Sequence, residues 1–158
     1  EQKTAASELE ILAPVSGELV HLENTKDPAF SSRAVGDGVA VVPQEGTVCA
    51  PVSGTVAALF PTEHALGIMS DDSSAQVMLH IGIDTVKLEG KGFHALVAQG
   101  DHVDAGQPLV EVDFDVVRAA GFDPTVFVIV CERSENSTLR EHASGPVAVK
   151  EPVVWLSE

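Results

Sequence analysis

Residues 77–93 read VMLHIGIDTVKLEGKGF, and the fold turns on whether this stretch is a strand. In a strand, successive side chains point to opposite faces. Val77, Leu79, Ile81 and Ile83 then share one purely aliphatic face, and Met78, His80, Gly82 and Asp84 share the other. The first face suits a core. The second carries a histidine, a glycine and a carboxylate. Taken alone, His80 could be a half-exposed sheet residue without a role, so the rest of the chain must decide.

The same period-2 reading extends outward. Short β-branched runs alternate with Gly, Pro and Asp punctuation: ELVHL (18–22), GVAVVP (38–43), GTVAALF (54–60), AQVMLHIGI (75–83), PLVEVD (108–113), TVFVIV (125–130), VAVK (147–150) and PVVWL (152–156). Many short strands at this spacing predict an all-β fold. The expected architecture is an antiparallel β-sandwich or flattened barrel with short helical turns, similar to a barrel-sandwich hybrid. DFDVVRAAG (113–121) predicts about two helical turns, opened by Asp113 or Asp115 and stopped by Gly121. GFHALVAQG (92–100) reads as a further short helical turn. APVSG occurs twice, at 13–17 and 50–54. Pro cannot donate to a ladder and Gly admits positive φ, so the repeat marks one entry into a strand, used twice. GDHVDAGQPLVEV (100–112) reads as a Gly-punctuated hairpin. It resembles the turns of biotinyl and lipoyl carrier domains but lacks their modified lysine.

Composition narrows the function classes. The chain has 158 residues, enough for one domain with a sizeable core, and residues 1–158 are read as a single domain with its core at about 10–156. Nine Lys+Arg face 24 Asp+Glu, a formal net charge of −15. Phosphates would be repelled, which argues against nucleic acid and for small ligands or basic protein partners. Two cysteines without a CxxC make neither a disulfide framework nor a zinc cluster; two buried free thiols in a reducing compartment are expected. No apolar run is long enough to span a membrane. The chain starts at Glu1, which fits a processed end or one domain of a longer polypeptide.

Six histidines are present, and two stand out. If 62–68 and 76–84 are adjacent antiparallel segments joined by SDDSS (70–74), His64 and His80 face each other across the pair. Such a pair could be polar surface. It could ligate zinc, although a zinc site wants three or four ligands and neither HExxH nor HxH occurs. Or one imidazole could attack an electrophile while the other stabilises developing charge. His21, His94, His102 and His142 show no such context.

LHIGIDTVKLEGKGF (79–93), PTEHALGI (61–68), VGDGVAV (35–41) and the paired APVSG turns closely resemble the glucose-type enzyme IIA family of the bacterial phosphoenolpyruvate-dependent sugar phosphotransferase system, over about residues 10–156. The resemblance implies a phosphoryl carrier. Phosphate would pass from the phosphocarrier protein HPr to a histidine and then to a cysteine of the sugar-specific IIB domain, without cofactor or metal. His80 matches the phosphorylated histidine, His64 the second active-site histidine, Thr62 a threonine that hydrogen-bonds near it, and Asp84 the acid of the H-x-G-x-D block. Phe30, Val35, Phe60, Leu66 and Met78 fall where the family has an apolar docking rim, with phenylalanine often replacing Leu66 and Met78. Asp37 and Asp84 would meet a basic donor. The attacking nitrogen needs a lone pair, so the ring proton belongs on the other nitrogen, and the Gly82 carbonyl is the expected acceptor. The implied location is cytoplasmic, with membrane association through fusion to or docking on the transporter. A chiefly regulatory protein binding permeases or metabolic enzymes is the alternative, and a zinc hydrolase on a related β scaffold a third.

Overall fold

The computed structural model describes residues 8–157. In chain order the strands are β1 (Glu8–Leu12), β2 (Gly17–His21), β3 (Asp37–Pro43), β4 (Thr47–Cys49), β5 (Gly54–Leu59), β6 (Ala65–Ser70) and β7 (Ala75–Ile81), followed by β8 (Phe93–Ala95), β9 (His102–Val103), β10 (Pro108–Val112), β11 (Val126–Arg133), β12 (Thr138–Glu141), β13 (Gly145–Val147) and β14 (Pro152–Ser157). Two short helices join them, α1 (Pro28–Ser31) and α2 (Phe114–Ala119), with 3-10 turns at Leu22–Asn24 and Thr85–Leu88. Eight strands form one sheet in the order β13-β2-β3-β11-β7-β6-β5-β9; β1-β14-β12 and β4-β10-β8 form two smaller sheets. Every pairing is antiparallel.

The inner face of the large sheet and the two small sheets share one core. Val39 and Val41 of β3, Val77, Leu79 and Ile81 of β7, and Val126 and Val128 of β11 are fully buried there with Ile11, Leu109 and Val154. The alternate residues of β3 and β11 face the other way. Ala40, Phe127 and Ile129 form a second cluster with Leu22 and Phe30, flanked by Val20, Val35, Met78 and Ile83. Both faces of the central strands are therefore covered, which is why their sequences read as near-continuous apolar runs. Burial of this kind is the main stabilising term, at about 25 cal/mol per Å² removed from water.

The APVSG repeat is a structural repeat. Gly17 opens β2 and Gly54 opens β5. The two segments exchange backbone bonds, Leu12 N–H to the Pro51 carbonyl at 2.9 Å and Cys49 N–H to the Pro14 carbonyl at 2.7 Å. Ser16 Oγ accepts from Val149 N–H and Ser53 Oγ from Ala105 N–H. Their partners repeat as well: VDAGQPLV (103–110) and VAVKEPVV (147–154) bond Ala50 and Ala13 in the same pattern, with Gly106 and Lys150 both at positive φ.

Several expectations change. Residues 148–150 form a turn, and the strand there is Gly145–Val147, because this segment repeats the 104–107 turn. GFHALVAQG contains strand β8 and bends, with no helix; Phe93 and Ala95 pair with Val112 and Val110 instead. GDHVDAGQPLVEV is not a hairpin: β9 pairs with β5, while β10 pairs with β4 and β8. The 113–121 helix forms as α2, its first turn capped by the Asp113 carboxylate accepting from Asp115 and Val116 N–H. Strand β7 ends at Ile81, so Gly82, Ile83 and Asp84 leave its alternation; Ile83 joins the outer cluster rather than the core.

A β-carbon on Gly54 would stand 2.0 Å from the Met69 carbonyl oxygen, a backbone atom that cannot step aside. At Gly67 it would meet only the Gln76 side-chain amide, at 3.4 Å. Gly54→Ala is expected to lower the urea-unfolding free energy by about 3 kcal/mol, whereas Gly67→Ala should stay within about 1 kcal/mol of the unmodified chain.

Candidate functional site: two imidazoles on the outer face of the large sheet

The histidines meet because the register demands it. Ala65 of β6 lies opposite His80 of β7, and Ile81 N–H donates to the His64 carbonyl at 2.7 Å. The SDDSS segment is the connection between these strands, as its turn chemistry predicts, with Asp72 accepting from Ser70, Ser74 Oγ and Ser74 N–H. His80 sits in a row running across five strands of the outer face, Val20–Ala40–Phe127–His80–Ala65. The rings of His64 and His80 stand edge to face, with centroids 5.1 Å apart.

Each ring is held through Nδ1. His80 Nδ1 lies 2.7 Å from the Gly82 carbonyl oxygen, an acceptor only, so this nitrogen carries the proton. Gly82 sits at φ +82, and a β-carbon there would stand 2.4 Å from Thr85 Cγ2. Gly82 N–H donates to the Thr125 carbonyl and Ile83 N–H to that of Asp123, while Thr85, fully buried, gives its hydroxyl proton to the Ile81 carbonyl. His64 Nδ1 lies 2.6 Å from Thr62 Oγ1. Nε2 of neither ring has a hydrogen-bond partner among the described residues. Phe127 and Phe30 stack at 4.3 Å beside His80, Phe30 leans on His80 at 5.2 Å, and Phe60 places its ring against His64 at 5.5 Å.

Burial keeps both imidazoles neutral. His64 is 3% exposed. Burial, with a smaller push from His80, drives its pKa down to about 4. Burial also lowers His80, opposed by the Gly82 carbonyl and by the charges of Asp27 and Asp84. Each ring thus presents an unprotonated nitrogen at neutral pH, which makes one of them a nucleophile and allows the other to donate from its single N–H.

Not every predicted residue stands where the sequence suggested. Phe60 is exposed, and Val35 and Met78 are half-buried on the outer face. Leu66 is 1% exposed: it lies opposite Leu79 and points into the main core, so it forms no part of a rim. Phe30 is 5% exposed, spent on the floor under His80. Asp37 is clamped by Arg33 at 3.0 Å and Arg133 at 3.3 Å, and Arg33 also grips Glu141 and Glu23, so this carboxylate is already paired. Asp84, in the left-handed region at φ 62, has no such clamp among the described residues. Sequence reasoning missed Asp27, which caps α1 by accepting from Ala29 N–H and acts on His80 by charge. The Asp-Pro pair at 27–28 was its signal. It also missed Phe127, hidden in an apolar run, and the exposed Val86 in the turn after Asp84. His21 and His142 are not isolated: His21 Nε2 meets the His142 carbonyl at 3.0 Å, and His142 Nε2 faces Glu151 at 3.1 Å. His102 pairs with Asp71 at 3.0 Å. No group of three or more His, Cys, Asp or Glu that could hold a metal is gathered among the described residues.

The family model described as "phosphoenolpyruvate-dependent sugar phosphotransferase system, EIIA 1" matches residues 9–136. A glucose-specific EIICBA component from Streptococcus pneumoniae is 42% identical over 144 residues, covering 91% of this chain and 20% of that protein. A β-glucoside-specific EIIBCA component from Bacillus subtilis is 43% identical over 147 residues, covering 93% and 24%. An N-acetylglucosamine-specific EIICBA component from Klebsiella pneumoniae is 44% identical over 138 residues, covering 87% and 21%. The chain thus spans only a fifth to a quarter of the length of these relatives. Among solved structures, the glucose permease IIA from Mycoplasma capricolum superposes with a TM-score of 0.86 at 36% identity, covering 94% of this chain and 95% of that one.

The depressed His64 pKa predicts an acid limb to stability. Unfolded, the ring takes its proton near pH 6.5; folded, near 4. The unfolded chain binds the extra proton between these values, so stability is intact above pH 6.5 and falls as pH drops towards 4, by about 3 kcal/mol in all. His64→Gln should flatten this limb in urea titrations at pH 7, 5.5 and 4.5.

Proposed function

Because the chain belongs to the EIIA 1 family of the phosphoenolpyruvate-dependent sugar phosphotransferase system, a family of phosphoryl carriers, we propose that His80 is its phosphoryl acceptor and His64 the donor that steadies the transferred group. The observation that carries this reading is the Nδ1 bond of His80 to the Gly82 carbonyl, which leaves the lone pair on Nε2.

The donor in this reading is the phosphohistidine of HPr. His80 Nε2 attacks phosphorus, a new N–P bond forms, and the N–P bond of HPr breaks, with its electron pair returning to the HPr imidazole. The ring proton stays on His80 Nδ1. Positive charge arising in the His80 ring is met by the Gly82 carbonyl and by the carboxylates of Asp27 and Asp84, the same groups that act on His80 in the resting state. Thr62 donates its hydroxyl proton to His64 Nδ1, which places the His64 proton on Nε2, the nitrogen free to bond a phosphoryl oxygen. In the second step a cysteine thiolate of a IIB domain attacks phosphorus and His80 leaves as neutral imidazole. Little covalent chemistry falls to the protein; its part is positioning and water exclusion.

Exposed Phe60 and half-buried Met78 and Val35 fit a small, transient docking face for both partners. The net charge of −15 fits electrostatic steering of a basic carrier, with Asp84 as the unclamped contact. The printed names of the relatives include glucose, β-glucosides and N-acetylglucosamine, and the chain is proposed to serve a membrane transporter of that group from its cytoplasmic side. No helix among the described residues is long and apolar enough to cross a membrane.

The test uses phosphoenolpyruvate, enzyme I and HPr, with acid-labile phosphate mapped by mass spectrometry. Phosphate is expected on His80. His80→Ala should abolish acceptance. His64→Gln should still accept but pass the group to IIB at least tenfold more slowly. The opposite pattern between the two variants would overturn the assignment.

A further inference from the structure

Glu63 occupies the position between Thr62 and His64, and its backbone is in the left-handed region at φ 64. That conformation is unfavourable for a residue with a β-carbon, and glycine or asparagine is the usual occupant. The kink lies between the two partners of the Thr62–His64 bond, with Thr62 Oγ1 2.6 Å from His64 Nδ1. The base of the turn is closed by Phe60 N–H to the Ala65 carbonyl at 3.0 Å and Glu63 N–H to the Phe60 carbonyl at 2.8 Å.

The Glu63 side chain supplies a tether that glycine or asparagine would not. Its Oε1 accepts from the backbone N–H of Ala95, at 2.5 Å and from 32 residues further along the chain. Ala95 ends β8, an edge strand paired on one side only, with β10. An edge N–H is an unfilled donor, and a carboxylate is a strong acceptor for it. The bond ties the site's turn to a different sheet and compensates the strain of the left-handed residue. The depressed pKa of His64 arises from burial and from His80. The Glu63 carboxylate itself is engaged at Ala95.

We infer that Glu63 is the positioning residue of His64, fixing the Thr62–His64 bond through its backbone conformation and its anchor on Ala95. The inference rests on the role proposed above for His64. Glutamine can accept from Ala95 as glutamate does; alanine keeps the strain and loses the anchor; glycine removes the strain and the anchor together.

The test measures two quantities on Glu63→Gln, Glu63→Ala and Glu63→Gly, with His64→Gln alongside. One is the ring 15N chemical shifts of His64, which report its tautomer. The other is the ratio of onward transfer (to IIB) to acceptance (from phosphorylated HPr). Glu63→Ala is expected to average the His64 nitrogen shifts and to lower the ratio about tenfold, with acceptance little changed because His80 has its own anchor at Gly82. Glu63→Gln should restore both, and Glu63→Gly should fall between. Unmoved His64 shifts in Glu63→Ala, or a Glu63→Gln variant as defective as Glu63→Ala, would overturn the inference. If His64→Gln transfers at the full rate, the role of His64 fails instead, and the shifts alone then decide whether Glu63 positions the ring.

Discussion

A single hydrogen bond, from His80 Nδ1 to the carbonyl of Gly82 two residues on, determines which nitrogen of the proposed acceptor ring is free. The bond exists only because strand β7 stops at Ile81 and the chain turns at a left-handed glycine. No other residue fits there without displacing Thr85. Thr85 in turn holds the Ile81 carbonyl, and the backbone at 123–125 holds Gly82 and Ile83. The turn is therefore bound on both sides, and the ring orientation follows from backbone geometry instead of side-chain choice.

Around that bond two demands oppose each other. The nucleophile must be neutral, which burial over Phe127 and Phe30 provides. In the proposed reaction, phosphorylation of His80 then builds charge in the same dry setting, which burial disfavours. Asp27 and Asp84 answer the second demand, since their charges favour a positive ring without touching it. His64, more deeply buried and without such carboxylates, stays neutral far into acid. The two imidazoles share a residue type and differ in environment, and that difference separates the proposed acceptor from the proposed donor. The scaffold places the pair: β7, which carries His80, lies inside an eight-stranded sheet between β11 and β6, and His64 immediately precedes β6.

Much of this was legible in the sequence. Alternation over 77–81 gave the strand and its two faces, SDDSS gave the connection, and the turn glycine gave the tautomer. APVSG announced a repeat whose other half, VDAGQPLV against VAVKEPVV, carries too little identity to be seen without coordinates. That loss explains why 100–112 looked like a hairpin and 147–150 like a strand. The docking rim was harder to read. Leu66 and Phe60 are both apolar residues beside the site, and only the register with Leu79 places one in the core while the other stays exposed. Asp37 looked free although one clamp, Arg33, stands only four residues before it; the other, Arg133, lies on a strand 96 residues away. Charge partners set by tertiary structure leave no local pattern.

If Gly82 fixes the His80 tautomer, it also fixes the nitrogen that takes the phosphoryl group. This link is tested most directly by NMR on the phosphorylated protein with 15N-labelled histidine. A one-bond 31P–15N coupling is expected at Nε2 of His80, with Nδ1 still protonated. Coupling at Nδ1, or to a ring nitrogen of His64, would contradict it.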